Sequence, residues 1–468
     1  MEETNITALG IALTAIMMLL MLVLPRAYAF IPILLTAFWM TLGQRVVIAT
    51  LNFQMLRLVV FAAYIRILLR GEYRNLQFRP FDKRVLLWVS CSCLVYILLF
   101  ADGAAVINRG GLLFDTLGIY FMFRISIQDV SDARRIVLVV AWALVPVALL
   151  MANERLTGIN AFYLLGGVSE YAFVRDGVVR AQGPFTHPIL AGTVGAVWFA
   201  AFAALWMQRY RLTALVGMTA AMTIVICSGS SGPLLGCAIS LLALGMWTIR
   251  SYMRLVRWAV VAGLVGLQLL MKEPIWFIFA KINIVSGSTG WHRSHLMDQA
   301  VRHWSEWVLT GIKEVESWGV WKGDVTNHYL LEGFRGGAIT MIIFIQLIVL
   351  AYKYIGKGVR LWPRREDQWL IWSLGAMLTA HVVTFFSVAY YDLQMMTGWY
   401  AMIAMAAMLY VPRWQQQQQQ QQALPEGANS QGWNNDPHHP VWWAEEQQQQ
   451  QQQRARETDM APVGKDDR

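Results

Sequence analysis

The chain of 468 residues is 57% hydrophobic and only 14% charged, with a mean hydropathy of +0.44. A soluble globular domain of this length does not carry so much apolar side chain, so the composition points to an integral membrane protein. The formal charge of +9 would suggest nucleic acid in a soluble protein. Here Lys and Arg gather in alternate loops, as the positive-inside rule requires, so phosphate-bearing lipid or substrate is the expected anionic partner and nucleic acid is not. Cys91, Cys93, Cys227 and Cys237 all fall in apolar runs; they read as small buried hydrophobes, with neither disulfides nor a metal site expected.

Apolar runs begin at about residue 11 and end near Leu24; a second covers Tyr28 to about Leu42 and a third about Ile48 to Leu69. Glu2 and Glu3 argue against a cleaved signal peptide, so the first run reads as an uncleaved helix. Further runs follow at about 85–101, 110–127, 135–151, 188–207, 212–227, 233–249, 255–271, 328–352, 368–388 and 393–411. Each is long enough, some marginally, to cross a ~30 Å hydrocarbon core, which predicts an all-α polytopic bundle of roughly 12 or 13 transmembrane helices. The loops rich in Arg and Lys, such as Arg70 to Arg84 and Lys353 to Arg365, are assigned to the cytoplasm. Residues 152–187 and 272–327 are then outward loops. Residues 1–412 form the membrane domain. The segment 413–468, with two glutamine runs (Gln415–Gln422 and Gln447–Gln453), reads as a disordered cytoplasmic tail.

Charges inside the runs each need a reason. Arg66 and Arg124 lie near cytoplasmic ends, where snorkelling suffices. Arg57 and Asp115 lie deeper; they read as a pair, although Arg57 facing an anionic substrate is the alternative. In the first outward loop, Arg180 precedes a Gly183-Pro184 turn and His187-Pro188, with Pro188 starting a helix. Arg180 is a candidate bidentate phosphate ligand or an interfacial anchor. His187 is a candidate base or a cap. Ser228-Gly-Ser-Ser-Gly-Pro233 reads as a tight turn between packed helices more than as an anion cradle.

The large outward loop gathers His, Arg, Asp, Glu and Trp more densely than any other segment between apolar runs. His292 and His295 have metal-like spacing but no third ligand. From Arg293, apolar residues at Leu296, Ala300, Trp304, Trp307 and Val308 suggest an amphipathic helix on the membrane surface, with aromatics that stack on sugar rings as the alternative that periodicity does not separate. Asn327-His328-Tyr329 follows where the chain re-enters the membrane. A histidine there is suited to general-base work, and a cap or interfacial residue is the plainer reading.

In layout, and at these residues, the chain resembles the O-antigen ligase and polymerase superfamily of bacterial membrane glycosyltransferases. The matching residues are Arg180 with Gly183, Phe185 and Pro188; the Ser-Gly-Ser-Ser-Gly turn; Arg293 followed by Trp304; and Asn327-His328-Tyr329-Leu330 followed by Glu332 and Gly336-Gly337. Ser231 stands where family members often have a basic residue. The resemblance implies a GT-C-like fold and a metal-independent, cofactor-free enzyme. Its donor is an undecaprenyl-diphosphate-linked glycan and its acceptor a glycan or lipid, with polysaccharide export machinery as a further partner. It implies a place in the bacterial inner membrane with the active site facing the periplasm. Arg180 and Arg293 are then the diphosphate ligands and His328 the catalytic residue, with His187, Arg57, Asn327 and Tyr329 as accessory candidates. Polymerisation of exopolysaccharide or O-antigen stands slightly ahead of transfer to lipid A-core. A transporter of lipid-linked glycan or another anion is the alternative from a different class, disfavoured by the absence of a visible internal repeat. A non-catalytic scaffold with a recruiting tail is the third.

Overall fold

The structure, a computed structural model, describes residues 6–48, 51–278, 290–320 and 323–410. The glutamine-rich segment expected to be disordered lies outside the described residues. Each of the expected apolar runs contains an α-helix: α1 (Ala8–Val23), α2 (Ile31–Trp39), α3 (Met55–Leu69), α4 (Pro80–Phe100), α5 (Gly103–Ser126), α6 (Val130–Thr157), α7 (Pro188–Met207), α8 (Arg211–Cys227), α9 (Ser231–Gly245) and α10 (Met253–Leu270). After α11 (Gly290–Arg302) and the single turn α12 (Trp304–Trp307) come α13 (His328–Leu361), α14 (Arg365–Thr384) and α15 (Leu393–Met408). Strand is confined, among the described residues, to two antiparallel hairpins, β1 (Arg45–Ile48) with β2 (Leu51–Gln54), and β3 (Phe173–Arg175) with β4 (Val178–Arg180).

The fold is all-α, and among the described residues 5 helical stretches are long and apolar enough to cross a membrane: α4, α6, α7, α9 continued through α10, and α13. That is fewer than the 12 or 13 crossings expected. Helices α1, α2, α3, α8 and α15 are shorter than the ~20 residues a crossing needs, α9 and α10 run on as one stretch, and charged residues interrupt α5 (Arg109, Asp115, Arg124) and open α14 (Arg365, Glu366, Asp367). Helix α10 has no buried residue, and Leu255, Trp258, Val261 and Leu264 stand exposed along it, as on a helix that faces lipid. By contrast α15 is buried almost throughout and packs against α2, α5, α13 and α14. Small residues let α7 approach its neighbours closely: a Cβ on Gly195 would lie 2.6 Å from the Ala221 carbonyl of α8.

Arg66 and Arg124 do not snorkel. Arg66 pairs with Glu72 at 2.8 Å and donates to the Met21 and Leu24 carbonyls at the end of α1. Arg124 pairs with Asp82 at 2.8 Å, and both arginines are buried. The cost of burying these charges is offset by fixed partners within the protein. The expected surface helix is also different. It breaks after Arg302, and Leu296, Ala300 and Trp307 turn inward to form a satellite core with Trp318 and Phe334. Trp291 and Trp304 remain exposed.

Helix α13 contains the break that sets the site. Gly337 has φ 69° and ψ 174°, a conformation open to glycine, and a Cβ there would lie 2.4 Å from the Leu309 carbonyl. The hydrogen-bonding groups released by the break are taken up by the large loop. The Ala338 N–H donates to the Val308 carbonyl, and the Ile312 N–H donates to the Phe334 carbonyl, both at 2.8 Å. The segment from His328 to Gly336 is thereby set off as a short helical piece pinned to the loop.

Candidate functional site

That short piece presents His328, Glu332 and Arg335 at i, i+4 and i+7, one helical face. All three line a cavity of about 260 Å³. The starts of α3, α5 and α15, the later turns of α4, and the α14–α15 connection complete its walls, supplying Arg57, Arg109, Asp115, Trp88, Tyr96, Tyr390 and Asp392 among others.

His328 is fixed on every side. Asn327 caps the helix, its side chain accepting from the Leu330 N–H at 3.1 Å, and the His328 N–H donates to the Phe385 carbonyl at 2.8 Å. The ring sits among Phe344, Phe385 and Tyr390. Its Nδ1 accepts from the Tyr390 backbone N–H at 3.2 Å. A backbone N–H can only donate, so the proton of the neutral ring resides on Nε2. Nε2 is buried without a hydrogen-bond partner and lies 3.9 Å from Glu332 Oε1. The other oxygen of Glu332 accepts from the Trp88 indole N–H at 2.7 Å. In this arrangement the Nε2 of the neutral His328 ring faces Glu332 as a donor, and Glu332 is the carboxyl group beside it.

Arg57 and Asp115 form the expected pair, with Arg57 Nε to Oδ1 at 3.0 Å and Nη2 to Oδ2 at 2.7 Å. The pair lines the cavity. Arg109 is buried, its guanidinium 3.4 Å from the centre of the Tyr96 ring, and its Nε has no partner. Arg335 lies over Tyr391 at 5.1 Å.

Arg180 and Arg293 do not line this cavity. Arg180, at the end of the β3–β4 hairpin, donates through Nε to the Ser228 carbonyl at 3.3 Å and through Nη2 to the Ser230 hydroxyl. The Ser-Gly-Ser turn thus turns acceptors toward an arginine. Arg293 donates to the Ser387 carbonyl at 3.2 Å. The two arginines and Arg175 are mutual electrostatic neighbours: burial, then Arg175 and Arg180, bring Arg293 down to about 10, with Asp324 opposing. His187 caps α7, its Nδ1 accepting from the Ile189 N–H at 3.1 Å; burial, then Arg180 and Arg175, lower it to about 4. Tyr329 is turned away from the cavity, donating to the Val382 carbonyl at 2.9 Å. His292 and His295 are engaged separately, with the Asp324 carbonyl and the Trp291 ring.

The two regions meet at the α14–α15 connection. Ser387 receives Arg293, Asp392 receives the Thr186 hydroxyl, and Tyr390 to Asp392 line the cavity. Arg109, Glu332 and Arg335 were not singled out as functional residues from the sequence. The i, i+4, i+7 spacing from His328 was the available signal for two of them. Arg109 lay one residue before the apolar run expected to start at Gly110.

No protein-family model matches the chain, and no curated protein is significantly similar to it.

Proposed function

We propose that the protein is a membrane glycosyltransferase that transfers or polymerises polyprenyl-diphosphate-linked glycan at the outer face of a bacterial inner membrane. Polymerisation of exopolysaccharide or O-antigen stands ahead of transfer to lipid A-core. The observation that carries this reading is the convergence of His328, Glu332 and several arginines on one cavity, joined through residues 387–392 to the loops of Arg180 and Arg293. The residue pattern that resembles O-antigen ligases and polymerases supports the same reading, and so does the positive charge of the opposite loops.

In the reaction, an acceptor hydroxyl oxygen attacks C1 of the donor sugar as the bond from C1 to the diphosphate oxygen breaks. The electron pair leaves on the diphosphate, whose charge Arg180 and Arg293 stabilise. The hydroxyl proton passes to the His328–Glu332 pair, with the Glu332 carboxylate as acceptor and His328 Nε2–H holding the reacting groups in line. Arginine supplies the charge stabilisation in this scheme, so EDTA is expected to leave it intact.

The test is transfer by the purified full chain in detergent with lipid-diphosphate-linked repeat units, alongside His328→Ala and an EDTA arm. Transfer by the wild type, lost in a folded His328→Ala and indifferent to EDTA, supports the reading; a ladder of products indicates a polymerase and a single adduct a ligase. Absence of transfer with every acceptor class, together with uptake of labelled anion into proteoliposomes, replaces it with a transporter. The Arg57–Asp115 pair set between helices is the feature that favours this second reading.

A further inference from the structure

The cavity holds two arginines, Arg109 and Arg335, whose carboxyl neighbour Glu332 acts on both from beyond ion-pair distance. Asp115 is taken by Arg57, Asp392 by the Thr186 hydroxyl and one oxygen of Glu332 by Trp88. No carboxylate among the described residues forms an ion pair with Arg109 or Arg335. Arg109 is 3% exposed, its Nε has no hydrogen-bond partner although its guanidinium rests against the Tyr96 ring, and Arg335 lines the same cavity. Burying a donor of this strength without an acceptor is costly, and placing a second cation in the same cavity adds to the cost. Both features are relieved by an oxyanion between the two guanidinium groups, where each offers a planar fork of donors. The cavity, at about 260 Å³, falls below the ~300–1,000 Å³ typical of drug-sized ligand sites, so the occupant is compact.

We infer that Arg109 and Arg335 form an oxyanion site within the His328 cavity, separate from the arginines of the outward loops, and that it takes a phosphate or sugar carboxylate of the glycan substrate. As an anion site it stands without the transferase reading; as a subsite for an acidic glycan it rests on that reading. The bound group lies beside His328 Nε2–H and Glu332, so a charged sugar or phosphate held there brings its neighbouring hydroxyl or anomeric carbon to those residues. Glu332 faces the same space and opposes the anion, so neutralising it strengthens binding.

Equilibrium binding of labelled inorganic pyrophosphate and of glucuronate to the detergent-purified full chain tests this, with glucose as the neutral control. Either anion is expected to bind and glucose not; pyrophosphate alone assigns a phosphate, glucuronate alone an acidic sugar. Arg335→Gln, at a half-buried position, and Arg109→Gln are each expected to weaken binding about tenfold or more, while Glu332→Gln tightens it. Failure of both anions to bind the wild type at millimolar concentration overturns the inference. So does binding that a folded Arg335→Gln leaves unchanged, or binding lost in Arg180→Gln and kept in both cavity variants. Transfer measured on the same preparations separates the two ideas. Anion binding without transfer leaves the site and removes the glycosyltransferase reading, and transfer without anion binding does the reverse.

Discussion

Two groups of arginines meet at the α14–α15 connection, and they are bonded in opposite ways. Arg180, in the segment before α7, and Arg293, in α11, are buried and donate to protein acceptors, the Ser228 carbonyl, the Ser230 hydroxyl and the Ser387 carbonyl. Arg109 and Arg335 line a void and lack ion-pair partners among the described residues. The first arrangement braces a fold and the second turns guanidinium groups to a cavity. A guanidinium has five donors, however, and two bonds to protein leave others for substrate, so bracing and clamping can coexist in one residue. The comparison is useful because each role predicts a different response to substitution.

Under the proposed mechanism, the largest effect is expected at the His328–Glu332 pair of the cavity. Glu332→Gln removes the basic group and keeps the shape, and transfer is expected to fall by about 10²–10⁴-fold, the usual range for general acid–base catalysis. His328→Gln is the sharper experiment. Its amide N–H can replace the Nε2–H donor but cannot take up a proton, so it retains much more activity than His328→Ala if His328 donates. If Gln and Ala are equally inactive in folded protein, His328 is the base and the hydrogen bond from Tyr390 does not hold its tautomer during reaction.

In the loop cluster the next effect is on stability. Arg180→Ala removes two charge-assisted bonds and leaves the Ser228 and Ser230 acceptors buried, a loss of about 3 kcal/mol. A brace loses thermal stability and activity together, and Arg180→Lys, which keeps the charge but not the planar fork, loses most of both. A clamp alone loses activity at an unchanged melting temperature. Thermal unfolding in detergent beside the transfer assay distinguishes them.

How much of this was legible depends on the range of the signal. Apolar runs are local and intense, so the helices within them could be read from the sequence, as could the Arg57–Asp115 pair, two charges set deeper in their runs than Arg66 and Arg124. Partners contributed from a distance were not legible. Asp82 and Glu72, which hold Arg124 and Arg66 inside the protein, lie in a segment that reads simply as a basic loop. The inward turn of Leu296 and Trp307 depends on Phe334 beyond a second loop, and an amphipathic pattern is the same whether its apolar face meets lipid or protein. One local signal was passed over: Asp176-Gly177 between Phe173-Val-Arg and Val178-Val-Arg marks a two-residue hairpin. Both turn residues have positive φ, 50° and 74°, and the hairpin delivers Arg180 to the Ser228 turn. The site residues were legible as types, yet which arginine faces a cavity and which supports a carbonyl is decided by packing between helices far apart in sequence.

The smallest expected effect concerns the histidine of the loop cluster. Burial and the charges of Arg180 and Arg175 lower His187 from the ordinary 6.5 to about 4, and its Nδ1 is occupied as the cap of α7. The folded protein therefore holds His187 neutral while the unfolded chain protonates it as pH falls below about 6.5. Because the unfolded state then binds more protons, stability is unaffected above that pH, declines as the pH falls through the window, and levels off near pH 4. With allowance for the ring's partial exposure the loss is about 1 kcal/mol. His187→Asn keeps a side-chain acceptor at the N-cap and removes the titration, so its unfolding midpoint, compared with wild type between pH 7 and about 4, should decline less. Identical slopes for the two proteins would mean that His187 is protonated in the fold despite its arginine neighbours. The cluster would then be more open to solvent than a set of braces allows, which favours a clamp role for Arg180.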